Sequence, residues 1–203
     1  MRTSKVAVAA LSLTVIAGCA STKVTSVRDP AFQGRQFQRV VVAAPFTDLD
    51  KKAATENEFV RDLQARGVQA VAAMVALPPT RTYSNDEISA ALKRMGADGV
   101  LFVTLTDFAT TTTYVPGSTT TTGSAYATGN TVNWTATTRQ DPGYYIHKPR
   151  VAFEMKLVDA ASGNVAWLGT SFTKGNAFAG WGTLMGSLAG ETVDKMVADG
   201  VVR

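Results

Sequence analysis

The 203-residue chain holds one cysteine and one histidine, and those two counts bound its chemistry. Cys19 stands in Val15-Ile16-Ala17-Gly18-Cys19-Ala20-Ser21, directly after an apolar run. A thiolate there is a good nucleophile for alkylation, and with no second cysteine it forms no internal disulfide. His147 lies in Gly143-Tyr144-Tyr145-Ile146-His147-Lys148-Pro149, where a transition-metal site would need carboxylates for every other ligand. It reads as an ordinary histidine of a loop or strand edge, and no metal site is expected. No Gly-x-Ser-x-Gly elbow is present to seat a serine nucleophile. Gly163-Asn164-Val165-Ala166-Trp167-Leu168-Gly169-Thr170 lacks the lysine of a phosphate loop. Asp48 and Asp50 follow the first strand at its carboxyl end, where open α/β sheets bind ligands, but helix N-capping explains them more simply. The chain therefore reads as non-enzymatic, with no catalytic residue and no cofactor.

The residues around Cys19 carry the strongest signal. Arg2 and Lys5 precede an uncharged run from Val6 to Ala17, closed by Gly18. A basic start, an apolar stretch and small residues at the cut compose a secretory signal. The run is shorter than the roughly 20 residues that cross a bilayer. Ile16-Ala17-Gly18-Cys19 resembles the lipobox of bacterial lipoproteins, in which an apolar residue and two small ones precede the cysteine. The resemblance implies diacylglycerol on the Cys19 thiol, cleavage before it, and an N-acyl chain on its amine. Two or more acyl chains hold a protein firmly to a membrane. Ala20 and Ser21 follow without the Asp that resembles an inner-membrane retention signal, which favours the outer membrane. Residues 1–18 thus read as signal peptide, 19–37 as lipidated cysteine and flexible tether, and 38–203 as one periplasmic domain.

Loss of Arg2 and Lys5 lowers the formal charge from +4 to +2, so the sequence pI near 9.3 overstates the basicity. Without a Lys/Arg run or an interleaved aromatic-basic motif, no nucleic-acid partner is expected.

These signals sit on a chain whose patterning predicts an α/β domain. Val40 to Ala44, apolar throughout and stopped by Pro45, suits a strand buried on both faces. Ala53 to Arg66 reads as a helix stopped by Gly67, and Val68 to Leu77 as a second strand. Ser84-Asn85-Asp86-Glu87 has capping-box spacing. Ile88, Ala91, Leu92 and Met95 then mark a helix face, and Gly99 to Val103 returns as a third strand. Val151 to Val158 and Val165 to Phe172 form an antiparallel hairpin, followed by a last helix through Met185, Leu188, Val193 and Met196. Gly182, Gly186 and Gly190 recur on that helix as a ridge letting it lie close on the sheet. The fold class is α/β: a single domain with a mixed sheet, a parallel βαβαβ core, a C-terminal antiparallel hairpin and about three helices.

One excursion interrupts this plan. Residues 104–141 are dominated by Thr, Ser, Gly and small residues, far longer than a usual connection of about 4–6 residues. Turn chemistry stands at Val115-Pro116-Gly117-Ser118 and Thr128-Gly129-Asn130. Thr favours strands, and Tyr114, Tyr126 and Trp134 could pack on one face. The excursion is expected to be a projecting β-hairpin or pair of extended arms, mostly solvated, that touches a partner or a neighbouring subunit.

The lipobox, the Val-rich first strand, the capped helix leading to Gly-Ala-Asp-Gly-Val, the hairpin ending at Trp167, and the last helix with Glu-Thr-Val-Asp-Lys-Met-Val form a recognisable order. Together they resemble small bacterial lipoproteins related to the curli-secretion lipoprotein and the lipoprotein activators of penicillin-binding proteins. The resemblance implies a non-catalytic binding or assembly domain, partnered by the membrane and by another envelope protein or itself. The alternative is a subunit of an oligomeric outer-membrane secretion pore or its assembly factor. Against that stand lipid-facing positions expected to be Thr, Gly and Ser, too polar for a membrane band. An envelope hydrolase ranks third, lacking a nucleophile and a metal set.

Overall fold

The three consecutive valines of β2 (Arg39–Ala43) are all buried, because this strand has neighbours on both sides. The computed structural model describes residues 19–203, so the signal-like segment with Ile16, Ala17 and Gly18 lies outside the described residues. β2 runs parallel to β3 (Gln69–Ala72) and to the start of β4 (Gly99–Val115). Helix α1 (Leu49–Ala65) connects β2 to β3, and α3 (Asn85–Met95) leads into β4. The other pairings are antiparallel. β7 (Tyr144–Asp159) lies on β4, β8 (Val165–Gly175) on β7, and β1 (Ala20–Arg28) on β8. The six-stranded sheet has the order β1-β8-β7-β4-β2-β3, and β5 (Ser118–Thr128) with β6 (Thr131–Asp141) makes a separate two-stranded sheet. This is the single-domain α/β mixed sheet that the patterning predicts, with three long helices and one short one among the described residues.

One face of the sheet is covered by α1 and α4 (Trp181–Ala198). Phe59 and Leu63 of α1, and Leu184, Met185, Leu188 and Met196 of α4, are fully buried with Leu101, Phe153, Met155, Leu157 and Trp167. Alternate residues of β7 and β8 enter this core, while Ala152, Glu154, Lys156, Leu168, Thr170 and Phe172 face the other way, more open to solvent. The glycine ridge of α4 does not serve the sheet. A Cβ on Gly186 would lie 3.4 Å from Glu58 Oε2, and one on Gly190 would lie 3.7 Å from Asp62 Oδ2, both on α1.

The capping box of α3 is present, with Ser84 N–H donating to Glu87 at 2.8 Å and Glu87 N–H to Ser84 Oγ at 3.3 Å. The helix ends at Gly96 in the left-handed region (φ 62°). Only Ala91 on it is buried, so Ile88, Leu92 and Met95 cover an edge instead of filling the core.

Two expectations are corrected. The second strand stops at Ala72, and a four-residue helix α2 (Ala73–Ala76) takes the rest of the apolar run. The flexible tether expected over 19–37 is ordered. Ala20–Arg28 is strand β1, zipped to β8 along nine residue pairs, and Pro30–Phe32 forms a 3-10 turn that buries Phe32. Beneath β1, Ala20 and Val24 pack on the core, and hydrogen bonds alternate with them: Thr22 Oγ1 lies 2.8 Å from both Thr173 Oγ1 and Ser187 Oγ. Further along, Ser26 donates to Asp199 at 2.5 Å and Arg28 to the Asp199 carbonyl at 2.8 Å.

Candidate functional site

β4 and β7 outrun the sheet. β2 last pairs with β4 at Phe102, and β8 last pairs with β7 at Arg150. Beyond that, Thr110↔Pro149 to Val115↔Tyr144 pair only with each other. The ribbon resumes in β5 and β6, from Ser118↔Asp141 to Thr128↔Thr131, and reverses at Gly129 with φ 60°. Thr110 to Thr128 has a contour of about 60 Å at about 3.3 Å per residue. The excursion is therefore an ordered β-arm.

Val115-Pro116-Gly117-Ser118 is not a chain reversal. It faces Pro142-Gly143 on the returning strand, and neither Pro-Gly pair joins a ladder. The two prolines offer no N–H, and the two glycines meet at close quarters. A Cβ on Gly117 would strike the Asp141 carbonyl oxygen and lie 2.7 Å from Gly143 N, and one on Gly143 would strike the Tyr114 phenol. The arm is thus two ladders joined at one level.

Register divides the outer ladder into two unlike faces. One carries Thr121, Gly123, Ala125 and Ala127 beside Val132, Trp134, Ala136 and Thr138. The other carries Ser118, Thr120, Thr122 and Ser124 beside Asn133, Thr135, Thr137 and Arg139, with Tyr126 as its one aromatic. Tyr126 and Trp134 therefore point to opposite sides, and the single aromatic face expected from the sequence does not form. Tyr114 stands at the root instead, its ring 5.1 Å from that of Tyr145 across the ladder. All three candidate residues are exposed, at 53% for Tyr114, 63% for Tyr126 and 74% for Trp134. Tyr144 and Tyr145, which sequence reading passed over, are equally open. So was a plainer signal: from Phe108 to Thr138 there is no Asp, Glu, Lys, Arg or His.

Cys19 sits at the end of the body from which the arm leaves. Its carbonyl accepts the Asn176 N–H at 2.9 Å, and the next residue pairs with Gly175. Reading across the sheet, Lys174 pairs with Arg150, and Arg150 with Ala109. Two to three strand spacings, about 10–15 Å, separate the Cys19 strand from the arm's root. His147 is on the arm, exposed, with Nδ1 3.0 Å from Thr112 Oγ1.

The acidic residues at the carboxyl end of β2 hold helices in place. Asp48 caps α1, accepting the Lys51 N–H at 3.1 Å and pairing with its ammonium at 2.9 Å. The side-chain and backbone hydrogen bonds of Lys51 hold its pKa below the ordinary value. Glu56 is fully buried and its pKa is raised by desolvation, against the pull of the Met74 and Ala44 N–H groups it accepts at 2.8 and 3.0 Å. Both its oxygens are occupied in tying α1 to β2 and α2. A cavity of about 430 Å³ lined by Phe46, Asp48, Lys51, Phe108 and Trp181 lies at the carboxyl ends of β2 and the parallel part of β4. Among the described residues no group of three His, Cys, Asp or Glu is placed to hold a metal ion. Nor is any helix among them long and apolar enough to cross a membrane.

No family model and no curated relative matches the chain. Its fold is similar to that of the PelC dodecamer from Paraburkholderia phytofirmans, at 18% identity and TM-score 0.50, covering 90% of this chain and 99% of that one. Lipoprotein GNA1162 from Neisseria meningitidis is a more distant neighbour, at 17% identity and TM-score 0.43, covering 79% of this chain and 98% of that one. At these identities the PelC likeness establishes a shared fold.

Proposed function

We propose that the protein is a lipid-anchored, non-catalytic subunit of an assembly in the cell envelope, held at the outer membrane by acyl chains on Cys19 and joined to copies of itself through its arm. One observation carries this reading: a two-stranded arm with both edges unpaired, uncharged from the Thr121↔Thr138 pair to its tip, rises from the same end as Cys19. Exposed strand edges template pairing, and proteins that stay apart blunt them with charges or cover them. Beyond the Arg139–Asp141 ion pair at its base, this arm's outer ladder is left bare. The PelC chain that shares the fold is a dodecamer, which supports self-association.

A pore is the second reading, and register favours it. The expectation that lipid-facing positions are uniformly polar averages two faces that β5 and β6 keep apart. The ladder from Thr121↔Thr138 to the tip is uncharged. Its eight residues per strand span about 26 Å along the ribbon, about one residue short of the roughly 9–11 that a tilted barrel strand uses.

The test compares acylated intact protein with a variant lacking Ser118–Asp141, in which Gly117 joins Pro142 directly and the inner ladder keeps its register. Intact protein should form a defined oligomer in neutral detergent, and the shortened variant should stay monomeric with an unchanged melting profile. A monomeric intact protein, or equal assembly of the variant, would overturn the proposal. Dye leakage from liposomes that needs the arm selects the pore, and sealed liposomes select a surface assembly. Cys19→Ser should abolish incorporation of radioactive fatty acid, and retained label would remove the anchor.

A further inference from the structure

The face of the sheet turned away from the helices changes character at the Cys19 end. Lys148 and Arg150 are alternate residues of β7 and share that face, and Lys174 of β8 stands directly across from Arg150. Lys23 of β1 stands across from Phe172, whose ring centroid lies 5.2 Å from Lys174 Nζ. All four cations are exposed, and no carboxylate pairs with any of them. The nearest acids on this face are Asp107, across from Ala152, and Glu154, which is paired with Lys156 at 2.6 Å. A shallow groove of about 230 Å³ runs between Lys148, Arg150, Phe172 and Lys174. At strand spacings of about 4.8 Å and same-face steps of about 7 Å, neighbouring cations fall within one Debye length of each other. Asp107, diagonal to Arg150 at about 7–8 Å, offsets one of the four charges; the remaining excess repels, and an anion between the cations relieves the repulsion.

We infer that Lys23, Lys148, Arg150 and Lys174 form a docking surface for the phosphate groups of anionic lipids in the membrane that carries the anchor. The inference rests on the proposed acylation of Cys19. Cys19 immediately precedes Ala20, whose partner Gly175 is the residue after Lys174. Any membrane held by Cys19 therefore lies against this patch first. Each cation near an anionic membrane surface contributes about a fivefold factor. The patch would fix the tilt of the body on the bilayer, and with it the angle at which the arm leaves.

The experiment uses acylated full chain in uncharged detergent, titrated with phosphatidylglycerol or phosphatidylcholine and read by native mass spectrometry. Phosphatidylglycerol should be retained at least about tenfold over phosphatidylcholine. The variant Lys148→Gln/Arg150→Gln/Lys174→Gln should bring that ratio to about one. Lys93→Gln/Arg94→Gln/Arg203→Gln, with the same charge change at the other end of the body, should keep the preference. Circular dichroism melts establish that both variants fold. Equal retention of the two lipids, a preference that survives the first variant, or displacement of the lipid by equimolar inorganic phosphate would overturn the inference. The same spectra weigh the acyl chains on Cys19, so a missing anchor is read separately from a missing lipid preference.

Discussion

Replacing Asp199 with alanine should loosen the strand that carries the anchor. The Asp199 carboxylate accepts the Trp167 indole N–H at 2.8 Å, the Ser26 hydroxyl at 2.5 Å and the Lys195 ammonium at 2.5 Å. Trp167 is fully buried, so losing its acceptor strands a donor at a cost of about 1–3 kcal/mol. The Lys195 pair is partly exposed and adds about 0–1 kcal/mol. Asp199→Ala should therefore cost about 1–4 kcal/mol, and Asp199→Asn, which keeps an acceptor, less than the alanine variant. Urea titration by circular dichroism measures both, and limited proteolysis should cut Ala20–Arg28 faster in the alanine variant. Burial pushes this carboxyl up, but the hydrogen bonds from Lys195, Ser26 and Trp167 outweigh it, and its pKa lies below the ordinary 3.8. A carboxyl depressed in the folded state stabilises fully above its unfolded pKa and loses that effect as pH falls through the folded value. The gap between wild type and Asp199→Ala should thus be flat near neutrality and narrow below about pH 4. An alanine variant within about 0.5 kcal/mol of wild type, or an asparagine variant as costly as alanine, would refute the reasoning.

Leu188→Ala, at a fully buried position of α4, should cost about 2–5 kcal/mol, and Leu92→Ala on half-buried α3 clearly less, by denaturant midpoint. Ser84→Ala should cost about 0.5–2 kcal/mol through its lost cap. Glu87, held at a pKa of about 2 chiefly by the Ser84 backbone N–H and by Arg81, should support that cap above its ordinary 4.5 and release it as pH falls toward 2, visible as early acid loss of α3 protection in hydrogen exchange. Gly117→Ala should speed amide exchange in β5 and β6 while leaving the global midpoint unchanged, and a shifted midpoint would mean that the joint is part of the core.

Wherever apolar side chains decide, the fold is legible from the sequence. Val40–Val42, the Ile88-Ala91-Leu92-Met95 face and the α4 stripe each announce an element at its own period. β1 is silent because only Ala20 and Val24 of its inward residues are apolar, while Thr22, Ser26 and Arg28 between and beyond them are held by hydrogen bonds, which breaks the hydrophobic alternation. The arm is half legible. Its Thr content suggests strands, but the faces depend on register, and one residue of slip would put Tyr126 and Trp134 on the same side. Pro116-Gly117 looks like a turn in isolation, and only its match with Pro142-Gly143 makes it a joint. The proximity of Cys19 to the arm's root needs three strand pairings in succession, none of which is local.

The matched Pro-Gly pairs have a mechanical consequence. A continuous ribbon must pass the twist of the parent sheet along its length, so the bearing of its tip would be dictated by the body. Cutting both rails at one level makes a compliant coupling, across which bending and torsion are transmitted weakly. The outer ladder is then free to settle against whatever it meets, without asking the sheet to rotate. In a ring of such subunits, contacts between bodies would set how many copies close the circle, and the arms would accommodate that number.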